Sequence, residues 1–353
     1  MRTAVRKSET PRHWSAPGGN ERRLVTQHPR RRFLHLLAST AALPTVSRIA
    51  RAQTYPSRPI MVVVPYAAGG GTDVIVRLVA QRMRAPLGQP VIIENVTGAG
   101  GSIAVGRVAR AAPDGYTLSA GQNGSHVMNG ATYALPYDLL NDFEPVALLS
   151  ITPLLLLAKK ALPADDLRGF IAWLKANPDK AFLGHAGNGG IVHIAGIRFQ
   201  KETGTRFGFV PYRGAAPVLQ DLVAGQIDLH FGDPTSVAQV RAGRVKAYAV
   251  AAPVRLSSAP DIPTVDEAGL PGFYVSVWNG LWVPKRTPQN IIAKLNAAVV
   301  EALADPAVRA RLADLGQEIF PREQQTPEAL RAFQKAEIEK WWPIIKAAGI
   351  KAE

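Results

Sequence analysis

The chain has 353 residues, 47% of them hydrophobic, a formal charge of +14 and no cysteine. The missing cysteine excludes disulfides, a thiol nucleophile and cysteine-ligated clusters. Length and a mean hydropathy near zero fit about two globular domains with ample core, and no stretch of the body reaches ~18 consecutive apolar residues, so none reads as a membrane span.

The charge is uneven. Residues 1–52 hold eleven Lys/Arg against two acids, Glu9 and Glu21, which leaves +5 for the remaining 301 residues. A mildly basic body suits a small acidic ligand as well as it suits a polyanion. No basic run with interleaved aromatics follows the segment, so nucleic acid is not an expected partner. Within the segment, Arg30-Arg31-Arg32-Phe33-Leu34-His35 leads into a modest apolar run ending at Leu43. Ala50-Arg51-Ala52 then offers a small-x-small cleavage site. This resembles a twin-arginine export signal. It predicts a disordered polar extension at 1–29, cleavage near Ala52 and a periplasmic mature protein.

The first element of the body is the apolar run Ile60 to Val64, followed by Pro65-Tyr66-Ala67-Ala68-Gly69-Gly70-Gly71-Thr72-Asp73 and a helical pattern. Ile75, Leu78, Val79 and Met83 fall on one helix face. We read strand, Gly-rich turn, helix. Thr72 is the expected N-cap, and the free N–H groups of the first turn favour an anion, with Asp73 tempering this toward one small anionic group. Val91 to Glu94 is a second strand, followed by the Gly-rich turn 95–102 and a helix to Ala112. The third glycine of a dinucleotide fingerprint would fall at 103, which is Ile. Tyr116 to Ala120 is a third strand, running into a polar loop at 121–126. This alternation predicts a parallel sheet with ligand-facing loops at the carboxyl ends of its strands.

Residues 143–149 and 153–158 read as buried strands, the second leaving the first domain. A restart follows: an amphipathic helix at 166–177, a strand at 181–185, the Gly-rich loop Ala186-Gly187-Asn188-Gly189-Gly190, and a helix carrying His193. The opening device thus recurs. Further strands are expected at 207–211, 226–231 and 246–252, with a turn at Tyr212-Arg213-Gly214 and a polar strand-end loop at Gly232-Asp233. Tyr274 to Val283 alternates as a long strand, and three amphipathic helices near 288–303, 306–315 and 327–348 close the chain. Two segments, 146–158 and 274–283, are expected to cross between two α/β lobes.

No metal-ligand spacing occurs among the seven histidines, and neither a metal nor a cofactor is expected. Ser125-His126 lacks a nucleophile elbow, and on an extended backbone the two side chains diverge, which argues against a catalytic dyad. His126 and His193 read as polar contacts lining a cleft or capping a helix. What the strand-end loops do supply is uncharged donors: backbone N–H groups near glycines, with Thr72, Asn123, Ser125, Asn188 and Tyr212. Two lobes presenting such loops to each other form a cleft suited to a carboxylate.

Several ordered motifs carry a resemblance. They are Tyr55-Pro-Ser-Arg-Pro-Ile60, Pro65 to Asp73, Glu94-Asn-Val-Thr-Gly-Ala-Gly-Gly101, Ala112-Pro-Asp-Gly-Tyr116, Val210-Pro-Tyr-Arg-Gly-Ala215, Pro263-Thr-Val-Asp-Glu-Ala-Gly-Leu270 and Ala347-Ala-Gly-Ile350. Over residues 54–353 the chain resembles the Bug (TctC-like) family, periplasmic solute receptors of tripartite tricarboxylate transporters. The resemblance implies a two-lobed, type II-like periplasmic binding protein with two Rossmann-like domains and a ligand cleft between them. It implies capture of a small carboxylate, whether a di- or tricarboxylate, an amino acid or an aromatic acid. It further implies delivery to a membrane permease of one large and one small subunit by a receptor without catalysis, and a monomer is expected. By position, Tyr66, Ala67, Ala68, Gly69, Gly70, Gly71, Thr72 and Asp73 would grip a ligand carboxylate. Gly187, Asn188, Gly189 and Gly190 would lie opposite. Asn123, Ser125, His126, His193, Tyr212, Arg213 and Asp233 would complete the site. Gly190 departs from the hydroxyl residue many relatives carry there, so backbone or water must replace that donor.

The domain boundaries expected are 53–155 with 275–353 for the first domain and 156–274 for the second. The alternative to a receptor is an exported hydrolase or lyase acting on a small carboxylic acid on the same scaffold. A sensor partner sharing the receptor's site is a third possibility.

Overall fold

The computed structural model describes residues 54–212 and 215–351. The export-signal reading on 1–52, with its cleavage near Ala52, and the expectations on Arg213 and Gly214 lie outside the described residues.

In chain order the elements begin with β1 (Ile60–Val64), α1 (Gly71–Leu87), β2 (Val91–Asn95), α2 (Ser102–Ala109), β3 (Thr117–Gln122), α3 (Asn129–Thr132), β4 (Phe143–Pro153) and β5 (Leu155–Lys159). They continue with α4 (Leu167–Ala176), β6 (Phe182–His185), α5 (Ile191–Thr203), β7 (Gly208–Pro211), α6 (Ala215–Ala224), β8 (Leu229–Gly232), α7 (Val237–Arg241) and β9 (Val245–Val250). The last are β10 (Ser276–Pro284), α8 (Gln289–Ala304), α9 (Pro306–Asp314), β11 (Glu318–Ile319) and α10 (Pro327–Ala347). The local reasons are those the sequence offers. In α1, Ile75, Val79 and Met83 are buried along one face, and the helix stops at Gly88, whose positive φ closes the last turn onto Arg84 and Ala85.

These strands form two sheets, ordered β11-β4-β10-β3-β1-β2 and β7-β6-β8-β5-β9. The expected parallel pairings are present, β1 with β2 and β3, and β6 with β7 and β8. Neither sheet is wholly parallel, however. β10 runs antiparallel to both β3 and β4, and β5 runs antiparallel to both β8 and β9. The cause is topological: β5 and β10 enter their sheets from the other lobe, so they meet strands running the opposite way. The crossing is tied by backbone bonds, Leu154 N–H to Val275 O at 3.0 Å and Val275 N–H to Ala251 O at 2.9 Å.

The C-terminal helix α10 packs back onto the first sheet. Its Gln334 accepts from Trp282 Nε1 at 3.1 Å, and Glu337 accepts from Trp278 and Trp341 at 3.2 and 3.0 Å. All three indoles are buried, and each N–H finds the partner that burial demands.

The stretch after β3 departs from expectation. Residues 124–128 are not an open polar loop but a wide helical turn that leads straight into α3, with Ser125, His126, Val127 and Met128 all buried. Gln334 Nε2 donates to His126 O at 2.8 Å and Trp342 Nε1 to Val127 O at 2.8 Å, so α10 braces this turn from behind.

Candidate functional site

The two Gly-rich turns that the sequence pairs are near-copies in backbone geometry. Gly69 and Gly189 both take positive φ, 81° and 73°. Gly70 and Gly190 then sit at φ −72°, ψ 163° and φ −73°, ψ 164°, each just ahead of a helix. Each turn closes on the same bond, Gly70 N–H to Ala67 O at 3.2 Å and Gly190 N–H to Gly187 O at 3.3 Å. The first helical bonds are Val74 N–H to Gly70 O and Ile194 N–H to Gly190 O, 3.0 and 3.1 Å. The N–H groups ahead of them have no acceptor within their helix and present partial positive charge.

Thr72 is not the cap. Gly70 takes that position in extended geometry, and the Thr72 hydroxyl, from the second residue of the helix, donates to Asn279 Oδ1 at 2.9 Å.

Behind each turn stands one acceptor. Asp73 is buried and receives Gly69 N–H at 2.8 Å, Arg77 Nε at 2.9 Å and Asn95 Nδ2 at 2.9 Å. Burial opposes its charge, but the bonds from Arg77, Gly69 and Asn95 outweigh it and hold the carboxyl below its ordinary range. Asn95 also donates to Tyr66 O at 2.9 Å, which fixes the strand-end before the turn. In the second lobe His193 takes the same place, receiving Gly189 N–H on Nδ1 at 3.1 Å. An Nδ1 that accepts must carry no proton, so the neutral ring bears its proton on Nε2. Desolvation, and after it the neighbouring His185, push the His193 pKa down to about 4. The two imidazoles stack with centroids 4.6 Å apart.

Between the lobes lies a cavity of about 400 Å³, lined from the first lobe by Tyr66, Gly100, Gln122, Asn123, Gly124, Asn129, Thr132 and Tyr133 and from the second by Ala186 to Val192. The lobes come close here: a Cβ on Gly189 would stand 3.3 Å from Thr132 Cγ2. The lining holds no charged side chain. Tyr66 is kept protonated by desolvation, its pKa raised to about 12 despite hydrogen bonds with Ser125 and Gln122, so its phenol is a neutral group.

Of the residues singled out in the sequence, Tyr66, Asn123, Gly187, Asn188, Gly189 and Gly190 meet in this wall. Ala67, Ala68, Gly69, Gly70 and Gly71 are exposed beside it and do not line it, while Thr72 and Asp73 are buried beneath their turn. His193 supports the second turn from behind. Tyr212 points its hydroxyl to Asp221 Oδ2 at 2.7 Å, and Asp233 accepts Thr235 N–H at 2.9 Å as the cap of its own helical turn. Neither lines the cavity. The site residues named from the sequence do not include Gly100, Gln122, Gly124, Asn129, Thr132 and Tyr133 of the first lobe, nor Ala186, Ile191 and Val192 of the second. Reading 124–132 as helical would have found Asn129, Thr132 and Tyr133, which then share a face.

Ser125 and His126 also differ from expectation. Because their backbone is helical rather than extended, the side chains converge, with Oγ and Nδ1 2.9 Å apart. His126 Nε2 meets Ser119 Oγ at 3.2 Å, the ring lies on Trp282, and both residues are fully buried. Desolvation lowers the His126 pKa to about 3. Ser125 is not among the cavity-lining residues, and its hydroxyl bonds the ring and the Gln122 carbonyl, the latter at 3.2 Å.

Among the described residues, no group of three or more potential metal ligands gathers, and no helix is long and apolar enough to cross a membrane.

This architecture is shared with solved proteins. The chain is similar to MatC of Rhodopseudomonas palustris with bound malate (43% identity, TM-score 0.72, covering 82% of this chain and 100% of that one). It is similar to R. palustris Rpa4515 with adipate (33% identity, TM-score 0.73, covering 84% and 99%) and to the periplasmic binding protein BugD (38% identity, TM-score 0.71, covering 85% and 100%). The fold is that of a two-lobed periplasmic binding protein of the TctC/Bug type. By sequence the chain is similar to a UPF0065 protein from the TAR-I ttuE-ttuC' intergenic region of Agrobacterium vitis, 40% identical over 320 residues, which cover 90% of this chain and 92% of that protein. The tripartite tricarboxylate transporter family receptor (TctC) profile matches residues 75–350. The chain belongs to that family, whose members are periplasmic ligand receptors.

Proposed function

We propose that this chain is the solute receptor of a tripartite tricarboxylate transporter, capturing a small carboxylate between its lobes in the periplasm and handing it to the membrane permease. The observation that carries the proposal is the pair of matching helix-start turns beside a cavity whose walls hold no charged side chain. Neutral N–H donors at a helix start suit a carboxylate, contributing about 0.3–1 kcal/mol per helix at an exposed site and more where water is excluded. A cavity of about 400 Å³ has room for a small acid. Malate on MatC and adipate on Rpa4515 support the ligand class.

In this proposal the carboxylate is gripped by the Gly187–Gly190 turn and the N–H groups that follow it, with Tyr66 and Asn123 on the facing wall. The exposed 67–71 turn lies at the entrance. Domain 1 comprises 53–155 and 275–353, domain 2 comprises 156–274, and the receptor acts as a monomer after export and cleavage near Ala52.

Thermal denaturation against mono-, di- and tricarboxylates, amino acids and aromatic acids tests this. At least one carboxylate should raise the melting temperature in a concentration-dependent way. Stabilisation by sugars, cations or phosphates alone would overturn the ligand class. Copurification with the two permease subunits tests the partnership.

A further inference from the structure

Asn123 stands in the cavity wall with none of its surface exposed. Its Nδ2 donates to the Ser276 carbonyl at 2.8 Å. A carbonyl only accepts, so the amino end of the amide must face Ser276, and the orientation of the group is fixed. That leaves Asn123 Oδ1 buried, with no hydrogen-bond partner among the described residues. Buried acceptors are nearly always paired, and one left single at a cavity wall calls for a ligand's donor.

Among the residues that line the cavity, Asn123 Oδ1 is the fully buried side-chain acceptor without a partner, while Asn129 Nδ2 is taken by Gly100 O at 3.0 Å and the Gly187–Gly190 turn offers N–H groups. A ligand made only of carboxylates and methylenes has nothing to give Asn123 Oδ1, and a carboxylate oxygen placed there would repel it. An acid that also bears an O–H or N–H close to its carboxylate would satisfy it. A hydroxyl suits the wall better than an ammonium, because the lining holds no carboxylate to balance a buried cation. The solved relatives fall on both sides of this division, since malate carries a hydroxyl and adipate does not.

We propose that this cavity selects acids carrying a hydrogen-bond donor beside the carboxylate, hydroxy acids above all, and that Asn123 Oδ1 receives the donor. The proposal rests on the carboxylate-receptor function proposed above.

Calorimetric titration of the full chain with matched acids tests it: malate against succinate, lactate against propionate, and aspartate against succinate for the ammonium. The hydroxy acid should bind at least tenfold tighter than its partner, which is about 1.4 kcal/mol. In Asn123→Leu, which removes the acceptor at nearly constant volume, the ratio should fall to about threefold or less, about 0.6 kcal/mol. Equal affinity within the pairs on the unaltered chain overturns the proposal while leaving the carboxylate receptor intact. So does an undiminished ratio in Asn123→Leu. Preference for aspartate over malate overturns the hydroxyl in favour of an ammonium. Binding of no carboxylate at all overturns both proposals. The paired comparison on the unaltered chain decides the matter even if the variant does not fold.

Discussion

His126 lies flat on Trp282, ring centroids 3.8 Å apart and planes 11° from parallel. This burial keeps the imidazole neutral, with its pKa near 3, and desolvation likewise lowers that of buried His230 to about 4. A folded pKa below the unfolded value of about 6.5 gives stability that is fully present above pH 6.5. It is lost as pH falls toward the folded values, at about 1.4 kcal/mol per pH unit for each buried ring. The melting temperature should therefore drop steadily between pH 6.5 and 4. Unfolding at pH 5 should take up protons, which calorimetry in buffers of different ionisation enthalpy measures.

The Asp73 carboxylate should matter to the resting protein as much as to the ligand. Asp73→Ala leaves Gly69 N–H and an Asn95 amide proton without acceptors. The expected loss is about 2–4 kcal/mol in denaturant unfolding of the ligand-free chain. A loss below ~0.5 kcal/mol would mean that the network contributes nothing to the turn.

His193 accepts the same N–H in the second lobe without carrying charge. His193→Asn keeps a neutral acceptor and should hold affinity within about threefold. His193→Asp keeps an acceptor but sets a negative charge beside the carboxylate's place, and repulsion of about 1 kcal/mol or more should cost at least about fivefold in affinity. Titration calorimetry on both variants separates charge from geometry.

Gly189 and Gly204 form a controlled pair. Both have positive φ, 73° and 65°, but a Cβ on Gly189 meets Thr132 across the cleft while one on Gly204 meets nothing within 4 Å. Alanine at either should destabilise the chain by about 1–2 kcal/mol from backbone strain alone. Only Gly189→Ala should also weaken ligand binding.

Gln334→Leu should cost about 2–4 kcal/mol in chemical denaturation. It strands three buried groups at once: Trp282 Nε1, His126 O and Leu139 O.

Much of this was legible in the sequence. Hydrophobic runs ending in glycine clusters gave both helix-start turns, and the Ala181–Phe199 copy was readable because the same residue types recur in the same order. The direction of β5 and β10 was not legible, because pairing sense depends on which lobe a strand enters from, not on its own residues. Nor was the role of Asp73. A carboxylate in a helix's first turn looks like part of a binding surface until its three donors, one of them Asn95 on a different strand, turn it inward. Ser125-His126 was misread for a local reason: the Gly121–Gly124 stretch suggested an open loop, whereas packing under Gln334 and Trp342 winds the chain into a helical turn.

Every residue that lines the cavity falls between positions 66 and 192. Yet the backbone of its 124–128 wall hangs from Gln334 and Trp342, more than 200 positions downstream. A polypeptide ending before Pro327 would carry the complete set of cavity residues and still lack the support that shapes their wall. Removal of α10 should therefore abolish ligand binding even though every residue that lines the cavity is retained.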